Sequence, residues 1–170
     1  MSRKNCAIIA EPPMCFEWGY DEEDQRCCAM KLLLLNRITR LRVSGITDYY
    51  VPLGSGICLY TAEILIPLME ADPKLRLHCI IPYEDQANKW SPNLRDRYYD
   101  TLERCSDSAP VSLHFTPTCE LDARLEAVDL VSIILAVRSE TIPRDVVFAT
   151  ALRYAEKMRK ETLVLTAQGL

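Results

Sequence analysis

The chain has 170 residues, of which 49% are apolar and 26% are charged, and its net charge is −4. This length suits one globular domain that buries about two thirds of its unfolded surface. The 24 acidic against 20 basic side chains disfavour nucleic-acid binding through bulk charge.

The first apolar run falls within residues 1–10, which is too short for the core of a signal peptide and far too short for a membrane span. The sequence therefore predicts a cytoplasmic protein that makes no use of a membrane. Eight cysteines are present, but they form no C-x-x-C pair and only two histidines accompany them. No metal site is predicted from this spacing.

Strand and helix patterns alternate along the chain. Apolar runs predict strands at residues 5–9, 48–51, 75–81, 111–115, 131–137 and 162–165. Helical spacing predicts helices at residues 24–43, 56–71, 92–104, 121–128 and 145–160, the third of them opening with an N-cap at Ser91 and Pro92 at the first position. Such alternation implies right-handed crossovers. We therefore predict a single three-layer Rossmann-like α/β domain over residues 1–170, with a mostly parallel sheet of about six strands and helices on both faces.

Residues 48–56, Asp-Tyr-Tyr-Val-Pro-Leu-Gly-Ser-Gly, hold two of the five glycines at a predicted strand-to-helix turn. Glycine has no Cβ, so backbone N–H groups at such a turn can approach an anion closely at the helix N-terminus. In parallel sheets ligands bind beyond the carboxyl ends of the strands. Gly54, Ser55 and Gly56 are therefore candidate ligand-binding residues.

Residues 80–90, Ile-Ile-Pro-Tyr-Glu-Asp-Gln-Ala-Asn-Lys-Trp, are followed at 95–102 by Arg-Asp-Arg-Tyr-Tyr-Asp-Thr-Leu. Together with shorter matches at 18–22, 45–48, 62–63, 116–119 and 128–129, they resemble the YpsA/YoqJ-like bacterial family of unknown function, in the SLOG superfamily of DprA and LOG-type Rossmann-like proteins. The resemblance implies a cleft for nucleotides or nucleotide-like ligands. It adds seven candidate ligand-binding residues: Pro82, Glu84, Gln86, Trp90, Thr116, Arg124 and Asp129.

Alternatives remain open for Trp90 and for the arginines at 95 and 97. Trp90 either stacks on a base or covers the core beneath the third strand. Arg95 and Arg97 lie two apart on a helix and point in different directions, so they cannot grip one phosphate together. One of them is expected to form a structural pair with Glu84 or Asp129.

The chain also departs from the family pattern in its cleft loops. Where members carry Thr-Gly-His-Arg-Pro after the first strand, residues 9–13 read Ile-Ala-Glu-Pro-Pro. Glu11, a further candidate ligand-binding residue, would repel a phosphate at close range unless a cation intervened, and Pro12 lacks an N–H donor. A family Gly-Gly-Thr turn before the last helix reads Pro-Arg-Asp at 143–145. Either the ligand has changed, or the pocket no longer binds one.

Three functions follow. The leading hypothesis is a non-enzymatic binding or sensor domain with a degenerate phosphate site, no catalytic residue and no known cofactor, whose ligand is a small polar molecule, a nucleotide or a nucleotide-derived molecule. The second is a ligand-free interaction or scaffold protein that acts through residues 32–35 or an edge strand; a homodimer is compatible with the self-association of superfamily relatives. The third is a LOG-type hydrolase of the N-glycosidic or phosphate ester bonds of nucleotides, with Arg124 and Glu63 as candidates but without a phosphate loop.

Overall fold

A parallel sheet forms the centre of the computed structural model, which describes residues 4–170. Its six strands are β1 (Lys4–Ala10), β2 (Ile46–Pro52), β3 (Arg76–Tyr83), β4 (Asp107–Ser112), β5 (Ile133–Arg138) and β6 (Glu161–Thr166). Their order in the sheet is β4-β3-β2-β1-β5-β6, and every neighbouring pair is parallel. The strand order reverses between β1 and β5, which makes this the topological switch point where such folds bind ligands.

Five α-helices connect the strands: α1 (Gln25–Val43), α2 (Ile57–Ala71), α3 (Pro92–Arg104), α4 (Cys119–Leu130) and α5 (Val146–Lys157). Alternate residues of β1 show how they are arranged. Cys6 and Ile8 pack in the same core as α1, α2 and α3, whereas Ala7 and Ile9 pack in the core formed with α4 and α5. Because strand side chains alternate between faces, the sheet is covered on both sides. The predicted three-layer Rossmann-like fold is confirmed.

The helix starts differ in how they are capped. Asp24 accepts a hydrogen bond from the Arg26 N–H at 2.8 Å at the start of α1. Ser91 occupies the predicted N-cap of α3, but within the described chain its side chain makes no capping bond. Pro92, whose fixed φ suits the first helical position, marks this start instead.

Strand β4 is displaced from its predicted position, residues 111–115, towards the N-terminus. It lies at an edge and pairs with β3 alone, from His78 opposite Asp107 to Tyr83 opposite Ser112. The apolar residues that suggested the later range, Leu113 and Phe115, lie past its end and are each 64% exposed. An edge strand buries little of its side chains, so apolar periodicity does not mark it.

No helix among the described residues is both long enough and apolar enough to cross a lipid bilayer. Residues 1–3 of the predicted domain lie outside the described part of the chain.

Candidate ligand-binding cavity

A cavity of about 280 Å³ lies at the carboxyl edge of the sheet, beyond the ends of β1, β2 and β3. The loops that follow these strands form most of its wall, and the first turns of α4 and the residue before α5 complete it. The structure brings seven of the predicted ligand-binding residues to this wall: Glu11, Gly54, Ser55, Pro82, Gln86, Trp90 and Arg124.

The N-terminus of α2 faces this space through Ser55 and Cys58. Gly56 is the N-cap residue, with φ +84° and ψ −138°, and a Cβ at this position would lie 2.6 Å from the Cγ atom of Pro13. Among residues 4–170 no side chain caps this helix. The first N–H groups of an α-helix have no acceptor within the helix, and the dipole makes that end positive. This end of the cavity therefore suits an anion or another hydrogen-bond acceptor.

Four prolines form a rigid part of the wall: Pro12, Pro13, Pro52 and Pro82. Proline has no backbone N–H, so these positions present apolar rings and carbonyl groups but no amide donor. These four positions therefore supply no backbone donor to a ligand, and its donors come from other parts of the wall, such as the start of α2 and the side chains.

Arg124 supplies a cation to the cavity from α4. Its Nη1 atom donates to the backbone carbonyl of Glu120, one turn earlier, at 2.8 Å. Burial raises the pKa of the Cys58 thiol to about 11, and the positive charge of Arg124, which lines the same cavity, acts in the opposite direction. Cys58 is a neutral thiol at neutral pH and not a thiolate nucleophile.

Gln86 and Trp90 are held in place by the core. The Gln86 amide donates to the carbonyl of Leu53 at 2.8 Å and to the Tyr98 hydroxyl at 3.1 Å. The ring of Trp90 packs edge-on against Tyr98, with centroids 5.1 Å apart. Both alternatives for Trp90 are therefore compatible with its position, because the ring covers the core and also lines the cavity.

Glu11 is 1% exposed, and its carboxylate accepts four hydrogen bonds across the switch point. Its Oε1 atom accepts from the N–H and hydroxyl of Ser139 at 2.9 and 3.0 Å. Its Oε2 atom accepts from the N–H groups of Arg144 and Asp145 at 2.8 and 2.9 Å. Burial, together with the charge of Glu11, raises the pKa of the Cys15 thiol to about 11. Glu11 is thus already bound by donors of its own chain.

Four other predicted residues lie away from the cavity wall. Gly56 stands behind it as the N-cap of α2. Glu84 is exposed, and its N–H donates to the Ser112 carbonyl in the β3–β4 pairing. Thr116 precedes α4, and its backbone carbonyl accepts a hydrogen bond from the Cys119 N–H at 3.4 Å. Asp129 accepts from the Tyr154 hydroxyl at 2.6 Å near the far end of α4. A helix rises 1.5 Å per residue, so Asp129 lies roughly 8 Å along α4 beyond Arg124, the nearer of the two residues of this helix that line the cavity.

Several lining residues were missed by the sequence reasoning, including Tyr20, Glu120 and Asp145. The Tyr20 hydroxyl lies 3.4 Å from the Ser55 hydroxyl and joins the loops after β1 and β2. The spacing of Glu120 and Arg124 by four residues places them on one face of a helix, which is the signal that could have found Glu120.

Arg97, on α3, forms ion pairs with two other segments of the chain. It donates to Glu22, before α1, at 2.6 and 2.9 Å and to Glu63, on α2, at 3.0 and 2.6 Å. Partial burial by itself raises the pKa of Glu22, but the bonds from Arg97 and Lys31 outweigh it and the pKa lies below its usual value. The prediction that one of the arginines at 95 and 97 pairs with Glu84 or Asp129 was wrong, because Arg97 pairs with Glu22 and Glu63 instead. Both carboxylate oxygens of Glu63 are bound to Arg97, and Glu63 does not line the cavity to which Arg124 contributes.

Comparisons with known proteins agree with this fold. A family model for YpsA, described as the YspA SLOG family, matches residues 15–128. The UPF0398 protein of Bacillus pumilus is 30% identical over 88 residues, which are 51% of this chain and 47% of that protein. The UPF0398 protein of Lactiplantibacillus plantarum is 27% identical over 94 residues, or 55% of this chain and 49% of that protein.

The chain thus spans about half the length of the curated relatives it matches. Their names state no activity. The matched range includes α2, Gln86, Trp90 and Arg124, whereas Glu11 and its donors at 139–145 lie outside it. With more than half of its residues matched by the family model, this chain belongs to the YpsA family of SLOG proteins.

Proposed function

We propose that this chain is a non-enzymatic cytoplasmic receptor that binds a small polar or nucleotide-like ligand in the cavity beyond β1, β2 and β3. One observation carries the proposal: the uncapped N-terminus of α2 and the guanidinium of Arg124 are donors at the wall of one cavity whose proline-rich surroundings offer few others. Donors that converge on an otherwise apolar, concave space are typical of ligand sites.

The polar group of the ligand is expected at α2. A helix N-terminus favours negative charge by about 0.3–1 kcal/mol when exposed and by more when partly buried. Arg124 is half-buried and adds a full positive charge. A phosphate, a carboxylate or a carbonyl oxygen of a ligand would each find donors here.

The remaining wall suits a flat, weakly polar group. The Trp90 ring and the prolines at 12, 13, 52 and 82 present rigid apolar surface, and Gln86 retains its carbonyl oxygen for a ligand donor because its amide is engaged in the core. The cavity, at about 280 Å³, lies at the small end of the usual range of ligand pockets. A single nucleoside or a molecule of that size matches these walls.

The side chains at the wall support binding more than catalysis. Cys58 holds its proton at neutral pH, and Glu11 is saturated with hydrogen bonds. A nucleophile needs an activating base within hydrogen-bond reach, and a general base needs free access to the proton that it takes. The scaffold alternative rests on Leu32 and Leu35 of α1, which are 61% and 37% exposed. Single exposed apolar side chains are common on monomers and do not require a partner.

Thermal unfolding of the whole chain tests the receptor proposal with adenosine, guanosine, their monophosphates and inorganic phosphate. A ligand at about one hundred times its Kd stabilises the folded state by about 2.7 kcal/mol, which raises Tm by about 5–11 °C for a domain of this size. Quenching of Trp90 fluorescence should accompany the shift.

The matched variants are Arg124→Ala and Arg153→Ala, which remove the same charge from the cavity and from an exposed position on α5. Arg124→Ala should reduce the shift, and Arg153→Ala should leave it intact. The receptor proposal fails if every compound leaves Tm unchanged at millimolar concentration, or if both variants respond to the ligand as the unaltered chain does.

A further inference from the structure

The Glu11 carboxylate occupies the N-terminus of α5. Its four donors are the hydroxyl of Ser139 and the three N–H groups of Ser139, Arg144 and Asp145, all within 2.8–3.0 Å. Asp145 is the N-cap residue of α5, and its own side chain accepts from the Phe148 N–H at 2.9 Å. Backbone donors aimed from a loop and a helix start form the surroundings that an oxyanion prefers.

Glu11 and Asp145 also line the same cavity as the start of α2. The cavity therefore meets two helix N-termini that differ in occupancy. At α5 the donors are bound to carboxylates of the chain, whereas at α2 no described side chain caps the helix. A second anion near α5 would find its donors taken and would face the carboxylates of Glu11 and Asp145.

We propose that Glu11 is an intramolecular ligand that sets the specificity of the cavity. It holds the anion site at α5 closed, so that the negative group of an incoming ligand is confined to α2 and Arg124. The cavity then accepts a molecule with one compact anionic group, such as a nucleoside monophosphate, and rejects a nucleoside diphosphate whose second phosphate would reach α5. This ligand class rests on the proposed receptor function, whereas the occupation of α5 by Glu11 does not.

Calorimetric titration with AMP and ADP tests the specificity. The unaltered chain should bind AMP about tenfold more tightly than ADP. In Glu11→Ala the ratio should fall to about one, because the emptied site receives the second phosphate. Glu156→Gln is the matched control, since it removes a carboxylate from an exposed position on α5 that does not line the cavity, and it should keep the ratio of the unaltered chain. A residue with only a structural role would not change this ratio.

Amide NMR signals with inorganic phosphate test the site itself. Phosphate should shift the N–H signals of Ser139, Arg144 and Asp145 in Glu11→Ala and leave them unchanged in the unaltered chain and in Glu156→Gln. If Glu11→Ala folds only weakly, phosphate should raise its Tm more than that of the unaltered chain. Glu11→Ser, which also empties the site, should respond in the same direction.

Three outcomes overturn the proposal. The first is an unaltered chain that binds ADP as tightly as AMP. The second is a phosphate response at these amides while Glu11 is present. The third is the lack of any phosphate response in both Glu11 variants, including an alanine variant that stays unfolded in phosphate. If neither nucleotide binds the unaltered chain, the receptor function fails by itself, and the phosphate titrations still decide whether Glu11 closes the α5 site.

Discussion

Replacing Gly56 by alanine tests how tightly the start of α2 is fitted against the loop after β1. The added Cβ would lie 2.6 Å from Cγ and 3.0 Å from Cδ of Pro13, whose ring cannot move aside as a flexible side chain would. The backbone also has φ +84° and ψ −138°, a conformation that non-glycine residues rarely adopt. Both effects act on the folded state.

The magnitude follows from these two terms. A residue held in a sparsely populated backbone region costs about 1–3 kcal/mol, and forcing an extra methyl group into a packed site costs a similar amount. Gly56→Ala should therefore lose about 2–6 kcal/mol from a total stability of about 5–15 kcal/mol. The middle of that range lowers Tm by about 8–16 °C for a chain of this length.

Gly54 gives the matched control in the same loop. A Cβ at Gly54 would have no described heavy atom within 4 Å, and its φ lies outside the positive range. Gly54→Ala should change the stability by less than about 1 kcal/mol, and its sign should favour folding because the unfolded chain loses freedom.

Urea unfolding followed by circular dichroism measures both variants. If Gly54→Ala costs as much as Gly56→Ala, or if Gly56→Ala costs less than about 1 kcal/mol, the close approach of Pro13 to the start of α2 is not what makes glycine necessary there.

Arg97→Ala should lower the free energy of unfolding by about 2–3 kcal/mol in urea, because it leaves two half-buried carboxylates without their partner. The stability of Arg97→Lys should lie between those of Arg97→Ala and the unaltered chain. Equal losses in the two variants would show that the bidentate geometry is unimportant. The hydrogen bond from Arg26 lowers the pKa of Asp24 from 3.8 to about 2 in the folded chain. The contribution of Asp24 to the free energy of unfolding is therefore present above pH 3.8 and is lost as the pH falls towards 2. In Asp24→Asn, Tm should consequently fall less steeply with decreasing pH over this range. Curves of Tm against pH that run parallel in the two proteins would contradict this. A thiol reagent at pH 8 should label the exposed Cys28 well before Cys6, because burial raises the pKa of the Cys6 thiol to about 12. Peptide mass spectrometry measures the two labelling rates, and equal rates would contradict the buried position of Cys6.

Local patterns were sufficient to predict the fold. The continuous apolar run on β1 and the helical spacing on α1 each reflect a single element, so the six strands, the five helices and their three layers could be predicted from the sequence. The displaced strand β4 shows the limit. Its position is set by the backbone pairing with β3 from His78 to Tyr83 and by the hydrogen bond between the His78 ring and Asp107, and neither of these produces an apolar pattern in the sequence.

The candidate site was predicted in part for the same reason. Gly54, Ser55 and Gln86 follow strands, and the parallel topology brings such loops to one edge. Glu84 follows a strand too, but it is exposed and does not line the cavity, which spacing along a loop does not determine. Glu11 depends on donors 128 or more residues away, so its saturation by Ser139 and its neighbours could not be read from the loop after β1.

The two helix N-termini at the cavity differ in whether the positive end of the helix is neutralised by a carboxylate of the chain. Glu11 and Asp145 neutralise the start of α5, while α2 begins at a glycine that cannot supply a side-chain acceptor. A serine or aspartate at Gly56 would cap α2 and stabilise it, but the backbone conformation and Pro13 exclude a side chain there. The same close approach that makes glycine necessary therefore leaves the α2 donors open to the cavity. The packing of the β1 loop on α2 and the availability of those donors to a ligand are consequences of one contact, which is why Gly56→Ala should change both stability and binding.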